Sequence, residues 1–345
     1  MELMEKTLKE RWADLLKEQP KTRIRNAAEL LGATELELLT TRGEDEVVFL
    51  KPSFIEILKS ISSLGHLMAL TRNDSVVHEV KGEYDKPEFN GPMVGMFLGE
   101  WIDLRIFFSV WKYALAVSEG DRKSIQFFDK SGNAIHKIYL TEQSNESAYQ
   151  ELVSSFKSND RSVVLEDVAA APVFSNPESV DKTDFKQGWL GMKDTHEFFG
   201  LVKKHNLSRQ DALRNAPEGE FAVAVKSEAV AAMLKACSDK KVPIMSFVGN
   251  HGIIQIFSGE INRIIEMDEW LNVMDPRFNL HIKSEALADV WVVRKPSVDG
   301  IVTSVECFDD KGELIVQFFG KRKPGIPELE GWREIVRNIQ DASKV

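Results

Sequence analysis

A histidine at the head of an amphipathic segment is the residue of this 345-residue chain best placed to hold a metal or a flat group. Asp194 and Glu197 bracket His196 in the pattern of a helix start, which puts His196 in the first helical turn. The positive end of the helix dipole disfavours an imidazolium there and keeps the ring neutral, the form in which imidazole ligates a metal. Gly200 follows four residues on, on the same helix face, and leaves room for a flat group against the backbone. A capped helix with an incidental histidine satisfies the same spacing. The remaining histidines have simpler readings. His251 lies in a turn, His66 follows a helix stop, and His78, His136 and His281 fall in strand patterns. His205 sits near a helix C-terminus, where a cation is favoured on electrostatic grounds alone. There is no HExxH, no CxxC pair, no phosphate loop and no GxSxG. GMFLGEW around Gly95–Trp101 lacks the dinucleotide fingerprint and its following helix, and Asp309–Asp310 sit in a turn, where Asp is expected.

The elements that carry these residues are repeated. Met68–Gly82 lies over Met245–Gly259 without a gap, so that Asn73 matches Asn250 and Gly82 matches Gly259. Leu104–Val117 then lies over Leu280–Val293, and SIQFFDKSG from Ser124 over SVECFDDKG from Ser304, in the same order and at nearly the same spacing. Two copies of one module follow, and the residues that break the symmetry are the first places to look for chemistry. Glu5–Lys17 has helical periodicity. Lys21–Gly32 reads as a helix capped by Thr22 and stopped by Gly32, and Pro52–Leu64 as an amphipathic helix closed by Gly65. Antiparallel hairpins come next: Leu67–Thr71 with Val76–Val80, Phe127–Phe128 with Ile135–Tyr139, and in the second copy Met245–Val248 with Ile253–Phe257 and Val305–Phe308 with Leu314–Phe319. Helices followed by a meander in each half give an α+β fold, each half a large antiparallel sheet with helices. Residues 1–158 form the first repeat, 159–186 a connection with weak helix and strand signals, and 187–345 the second repeat.

Composition narrows the function. The formal net charge of −10 repels phosphate backbones and anionic lipid, so nucleic acid and stable membrane association are disfavoured. Lys21–Arg25, Arg294–Lys295 and Lys321–Lys323 stand out against it, as solvated faces or as anion sites. No apolar run is long enough to span a membrane, and MELMEKTLKERW lacks the features of a secretory signal. Cys237 and Cys307 lie in apolar-patterned segments and read as buried thiols, which points to a reducing cytoplasm.

Between Arg11 and about Arg337 the chain resembles the cytoplasmic haem-trafficking and haem-degrading proteins of Gram-negative bacteria, the HemS/HmuS/ChuS/PhuS group. KTRIRNAAELLG (21–32), IDLRIFFSVW (102–111), SIQFFDKSG (124–132), KDTHEFFGLV (193–202), VGNHGIIQI (248–256), DPRFNLHI (275–282), WVVRKPSVDGIVTSVECFD (291–309) and FFGKRKPGIPELEGW (318–332) carry the likeness. The resemblance implies two structurally repeated halves and a haem b (iron protoporphyrin IX) held in a cleft on the C-terminal half. It implies His196 as the proximal iron ligand and Arg105, from the first half, on the distal side. An aromatic of the family matches Phe107, an apolar wall residue matches Phe247, and the basic residues around the propionates match Arg209, Lys295 and Arg322. Haem needs an imidazole, an apolar slot and cations near its rim, which such a set supplies. Arg105 is cationic at any relevant pH and reads as a hydrogen-bond donor to a distal water or dioxygen, the residue on which ring degradation would turn. In one place the chain departs from the family pattern: Phe257 follows VGNHGIIQI where a histidine is usual. The resemblance implies a cytoplasmic haem-binding protein of a haem-uptake system. It would receive haem after an inner-membrane transporter delivers it and pass it on, to a haem oxygenase for instance, or open the ring with electrons from a partner reductase. The alternative is a non-catalytic duplicated-sheet module for another flat apolar anion.

Overall fold

The computed structural model describes residues 6–167, 172–323 and 325–345. Its strands form two nine-stranded antiparallel sheets. The first runs in the order Val47–Leu50, Trp111–Glu119, Arg122–Asp129, Ala134–Ser144, Gly65–Arg72, Val76–Glu83, Phe278–Lys283, Trp270–Met274 and Ile264–Met267. The second runs Ala222–Val225, Asp289–Ser297, Gly300–Phe308, Leu314–Gly320, Ile244–Asn250, Ile253–Gly259, Asp103–Phe107, Val94–Leu98 and Pro87–Glu88. With the helices between them the fold is α+β, as the order of sequence patterns requires.

The chain divides into two compact units. One takes the chain up to Thr71, resumes at Val80 and runs through residue 167, and adds Asn250–Ile254. The other takes Arg72–Glu79, the chain from residue 172 to Gly249, and everything from Gln255 onward. The hairpin turns of the two repeats are thus exchanged between the units. Equivalent bonds hold each turn. Asn73 Oδ1 accepts from the Ser75 amide at 3.0 Å, and Asn250 Oδ1 accepts from the Gly252 amide at 3.0 Å. Asn73 Nδ2 donates to the Ile315 carbonyl at 2.9 Å, and Asn250 Nδ2 donates to the Ile135 carbonyl at 2.9 Å. Ile135 and Ile315 are themselves equivalent when the third repeated block is carried past its final Gly132 and Gly312 at the same offset. Strand register agrees: Val117 pairs with Ser124, and Val293 with Ser304.

Local sequence explains where helices begin and end, with two departures from the pattern. Thr7 and Glu10 close a capping box on Leu8–Glu18, and Gly32 ends Ile24–Leu31 in the left-handed region at φ 62°. Thr22 does not cap that helix. Its hydroxyl bonds the Gln19 side chain, and the helix starts after Arg23 with no side-chain cap. A helix at Lys182–Leu190 begins inside the stretch read as connection. Asp181 accepts from the Thr183 and Asp184 amides, and Phe185 and Trp189, one turn apart, are fully buried. Cys237 and Cys307 are buried free thiols; burial pushes Cys237 up to about 12 and Cys307 higher still. Among the described residues no helix is long and apolar enough to cross a membrane.

In the second unit the C-terminal helix Glu330–Ser343 packs on the sheet through Trp332, which is fully buried and donates from Nε1 to the Thr303 carbonyl at 3.0 Å. Gly320 makes that approach possible. A Cβ there would meet Trp332 Cγ at 2.6 Å and Cβ at 2.7 Å, and neither neighbour can swing away. Gly320→Ala is expected to cost about 1–3 kcal/mol, the range for overpacking a filled core. The midpoint of urea unfolding reads this directly, and an unchanged midpoint would show that the helix sits less tightly on the sheet.

Candidate functional site

The helix Glu197–Lys204 of the second unit carries the site, and its inner face is fixed by charge as well as by packing. Phe198 is buried against Trp189, edge to face with centroids 4.8 Å apart. Two cations lie over its ring, Lys295 Nζ at 4.5 Å and Arg209 Cζ at 5.1 Å from the centroid. Both are held by one carboxylate, Glu306, which is fully buried. Arg209 donates to it from Nε at 2.7 Å and from Nη2 at 2.9 Å, Lys295 from Nζ at 2.5 Å, and Ser304 from Oγ at 3.1 Å. Burial alone would raise the Glu306 carboxyl; the two cations and their hydrogen bonds outweigh it together and hold the group well below the usual carboxylate range. Burial draws the Lys295 ammonium down to about 8, with Glu306 opposing and Arg209 reinforcing.

His196 stands at the N-cap of this helix, one residue ahead of the first-turn position its pattern suggests, with helical backbone angles and no capping bond from its own side chain. The cap is made by its neighbours. Asp194 Oδ1 accepts from the His196 amide at 2.8 Å, and Glu197 Oε2 accepts from the Lys193 amide at 3.0 Å. The same Asp194 oxygen lies 2.6 Å from His196 Nδ1. Those bonds from the His196 backbone and ring, helped by the charge of Arg322, hold the Asp194 carboxyl below its ordinary value, so the group is an acceptor only. In the neutral tautomer that this contact selects, Nδ1 carries the proton and Nε2 the lone pair. Carboxylate-to-imidazole bonding of this kind orients metal-ligating histidines and sharpens their basicity. The imidazole is 94 % exposed. Nothing lies within 4 Å of where a Cβ on Gly200 would project, so the space beside the helix is open as the sequence suggests. Phe199 is exposed between them.

Arg322 belongs to this locality through its charge on Asp194. Its Nη2 donates to Asp299 Oδ2 at 3.2 Å, while its buried Nε has no partner among the described residues. The turn that holds Asp299 is tied to the segment before His196, the Val298 amide donating to the Lys193 carbonyl at 2.9 Å. Arg209 and Lys295 also gather at this helix, on its buried side at Glu306. Phe247 is half-buried and packs edge to face on Phe319, centroids 5.1 Å apart. Phe257 is part of a buried stack, lying on Phe278 at 3.7 Å and 2° between planes.

Arg105 and Phe107 lie in the first unit, on the strand Asp103–Phe107, both half-buried. Arg105 Nη1 pairs with Asp103 and also donates to the Leu104 carbonyl at 3.1 Å. Burial raises the Asp103 carboxyl, and Arg105 opposes the shift. Other histidines serve the fold. His136 is buried between Thr71 Oγ1 and the Tyr84 hydroxyl, each 2.8 Å away, and burial brings it down to about 3. His251, in its turn, sits 2.9 Å from Asp129. His205 caps the C-terminal end of the site helix with Nε2 3.1 Å from Asp184. Asp194 and Glu306 belong to the candidate site and were not singled out from the sequence. Asp194 was visible only as a helix-start residue. The sign of Glu306 was a lone acid in the otherwise apolar strand SVECF, standing where the first repeat has the neutral Gln126.

Comparison with known proteins concerns the chain as a whole. The model of the haemin-degrading HemS.ChuX domain matches twice, at residues 32–156 and 206–339, once in each repeat. The hemin transport protein HemS of Yersinia enterocolitica is 34 % identical over 98 % of this chain and 99 % of its own. The crystal structure of holo-PhuS, a heme-binding protein from Pseudomonas aeruginosa, superposes with a TM-score of 0.92 and 41 % identity, covering 95 % of this chain and 96 % of that one. ChuS, an E. coli heme oxygenase, superposes with a TM-score of 0.87 and 34 % identity over 96 % of this chain and 99 % of its own.

Glu306→Gln would strand the buried Lys295 and the half-buried Arg209, and a loss of about 3–5 kcal/mol is expected from removing one side of such a cluster. The pH dependence carries the same signature. Because the folded carboxyl lies below its unfolded value of 4.5, its contribution is complete above that pH and fades as the pH falls beneath it. Unfolding midpoints measured between neutral pH and pH 3 should therefore fall more steeply in the parent chain than in Glu306→Gln; parallel curves would remove Glu306 from this role.

Proposed function

The chain belongs to the family of haemin-degrading HemS domains, and from that premise we propose a haem-binding protein of a bacterial haem-uptake system, with His196 as the iron ligand. The observation that carries the reading is the exposed imidazole whose Nδ1–H is taken by Asp194, leaving Nε2 as the one nitrogen able to ligate. A bare ion would find too few ligands: among the described residues no three His, Cys, Asp or Glu side chains are grouped to hold one. Haem brings four ring nitrogens of its own and needs one imidazole from the protein. Open space at Gly200 and the exposed Phe199 suit a flat apolar ring, and Arg322, with its unpartnered Nε, suits a propionate. The names of HemS and holo-PhuS, a transport protein and a haem-binding protein, support the same cargo.

In this reading the protein works in the cytoplasm, takes haem b from an inner-membrane transporter and carries it onward. Phe247, Arg209 and Lys295 are assigned to its surroundings, the two cations through the helix they anchor rather than as solvent-facing charges. Arg105 and Phe107 are assigned to haem recognition from the first repeat on the family resemblance. Arg105 is a fixed cation rich in N–H groups, suited to donate to an oxygen ligand and unsuited to bind iron. Ring opening is the second reading, favoured by the likeness to a haem oxygenase. It requires electrons from a partner reductase and a donor that steers oxygen, the role given to Arg105.

Titration of the chain with hemin should give a Soret band that is lost or shifted in His196→Ala, and binding about 10- to 100-fold weaker in Asp194→Asn, the usual cost of losing the residue that orients a ligand. An unchanged spectrum in His196→Ala would remove the ligand assignment. Incubation of the loaded protein with ascorbate and catalase separates the two roles. A persisting Soret band marks a carrier; its loss with release of carbon monoxide, abolished in Arg105→Ala, marks an oxygenase.

A further inference from the structure

Lys295 and Arg294 are consecutive in the strand Asp289–Ser297, so their side chains leave opposite faces of the sheet. Lys295 turns toward Phe198 and the His196 helix; Arg294 turns toward the C-terminal helix, where its Nη1 donates to Gln340 Oε1 at 2.9 Å and to the Glu220 carbonyl at 2.7 Å. On that second face lies a pocket of about 220 Å³ lined by Arg294, Arg333 and Arg337 with Glu328, Ile301 and Thr303. Three arginines lining one hollow are unexpected in a chain of net charge −10. The single acid of the lining is already committed. Glu328 accepts from the Thr303 amide at 2.7 Å, from its hydroxyl at 2.8 Å and from Arg333 Nε at 2.9 Å. Arg337 has no hydrogen bond or ion pair among the described residues, and its charge bears on Arg294. Glu220 and Asp341 lie at the margin, Glu220 4.0 Å from Arg294, and neither lines the pocket. Burial, more than any neighbouring charge, disfavours the charged form of Arg294, and a bound anion would relieve that cost.

We propose that this pocket binds a phosphate group, as the free ion or as a monoester. A carboxylate engages one guanidinium fork, whereas a phosphate dianion presents three oxygens and two charges, which matches three arginines against one saturated acid. The site is separate from the His196 face and stands whether or not that face holds haem. Arg294 also breaks the repeat: carrying the second block one residue further places Ser118 at the equivalent position, and the strand registers agree, Ser118 pairing with Lys123 as Arg294 pairs with Thr303.

The test is calorimetric titration of the full chain, free of haem, with inorganic phosphate and separately with phenyl phosphate, at an ionic strength held constant with chloride. Saturable binding of at least one probe is expected, weakened by roughly tenfold or more in Arg337→Gln. Arg337 is exposed and leaves the core untouched, so its hemin titration should match that of the parent chain. Tighter binding of phenyl phosphate identifies an ester as the ligand, and equal or tighter binding of inorganic phosphate identifies the free ion. The proposal is overturned if neither probe gives saturable heat at millimolar concentration, or if binding persists unchanged in both Arg337→Gln and Arg333→Gln.

Discussion

One buried carboxylate organises the second unit. Glu306 has lost all its water, and a lone acid in that position would be expelled or neutralised. It is retained as an anion because Arg209, Lys295 and Ser304 together satisfy both its oxygens. The cluster holds two cations for one anion, and the excess positive charge is spread over the face of Phe198. Phe198 is therefore gripped from the strand side by charge and from the helix side by Trp189. A residue fixed in this way fixes the start of its helix, and His196 is two positions upstream. The helix divides its labour by face: Phe198 and Leu201 point into the core, while His196, Phe199 and Gly200 are left to the outside. The imidazole is thus exposed on a helix whose opposite face is held by packing and charge.

The duplicated architecture shows why that mount exists only once. The two repeats share their strand registers and the Asn side chains that close their turns, down to equivalent carbonyl acceptors at Ile135 and Ile315. Such bonds belong to the scaffold, and both copies keep them. The Glu306 position holds Gln126 in the first repeat, buried with its Nε2 donating to Ser124 Oγ at 3.0 Å. A neutral amide there needs no buried cation, and the first repeat has no counterpart of the charged clamp at that point. Charge at this level of the strand marks the copy that carries the histidine.

Much of this was legible in the sequence because it is periodic or repeated. Strand alternation, glycine stops and the three collinear blocks establish an α+β fold of two similar halves, and Asp194 with Glu197 marks a helix start with His196 beside it. Other features depend on partners far along the chain. The resemblance offers Arg209 and Lys295 as cations near the propionates, and only the fold shows that both converge on Glu306, 97 and 11 residues away respectively. Thr22 had the right chemistry for a cap and was diverted to the side chain of Gln19. The helix at Lys182–Leu190 was hidden in a polar, Asp- and Lys-rich stretch, where two buried aromatics one turn apart were its main apolar signal. The exchange of turns between the units has no local signature, because each turn reads as an ordinary hairpin in its own repeat.

On the proposed reading one imidazole is the protein's share of the coordination, and a single imidazole is a weak hold on iron in water. With no further cluster of ligands among the described residues, selectivity has to come from the shape and polarity of what accompanies the metal. Asp194 raises the donor strength of one nitrogen; the open space at Gly200 and the exposed Phe199 favour a planar apolar partner; Arg322 favours an acidic rim. Each contributes modestly, and none discriminates alone. A ligand that is at once flat, apolar, acidic at its edge and short of one axial donor satisfies all of them, whereas a hydrated ion satisfies only the first. In the proposed carrier role the same economy favours release, because affinity distributed over one coordinate bond and several soft contacts can be lost stepwise to an acceptor that offers a second ligand.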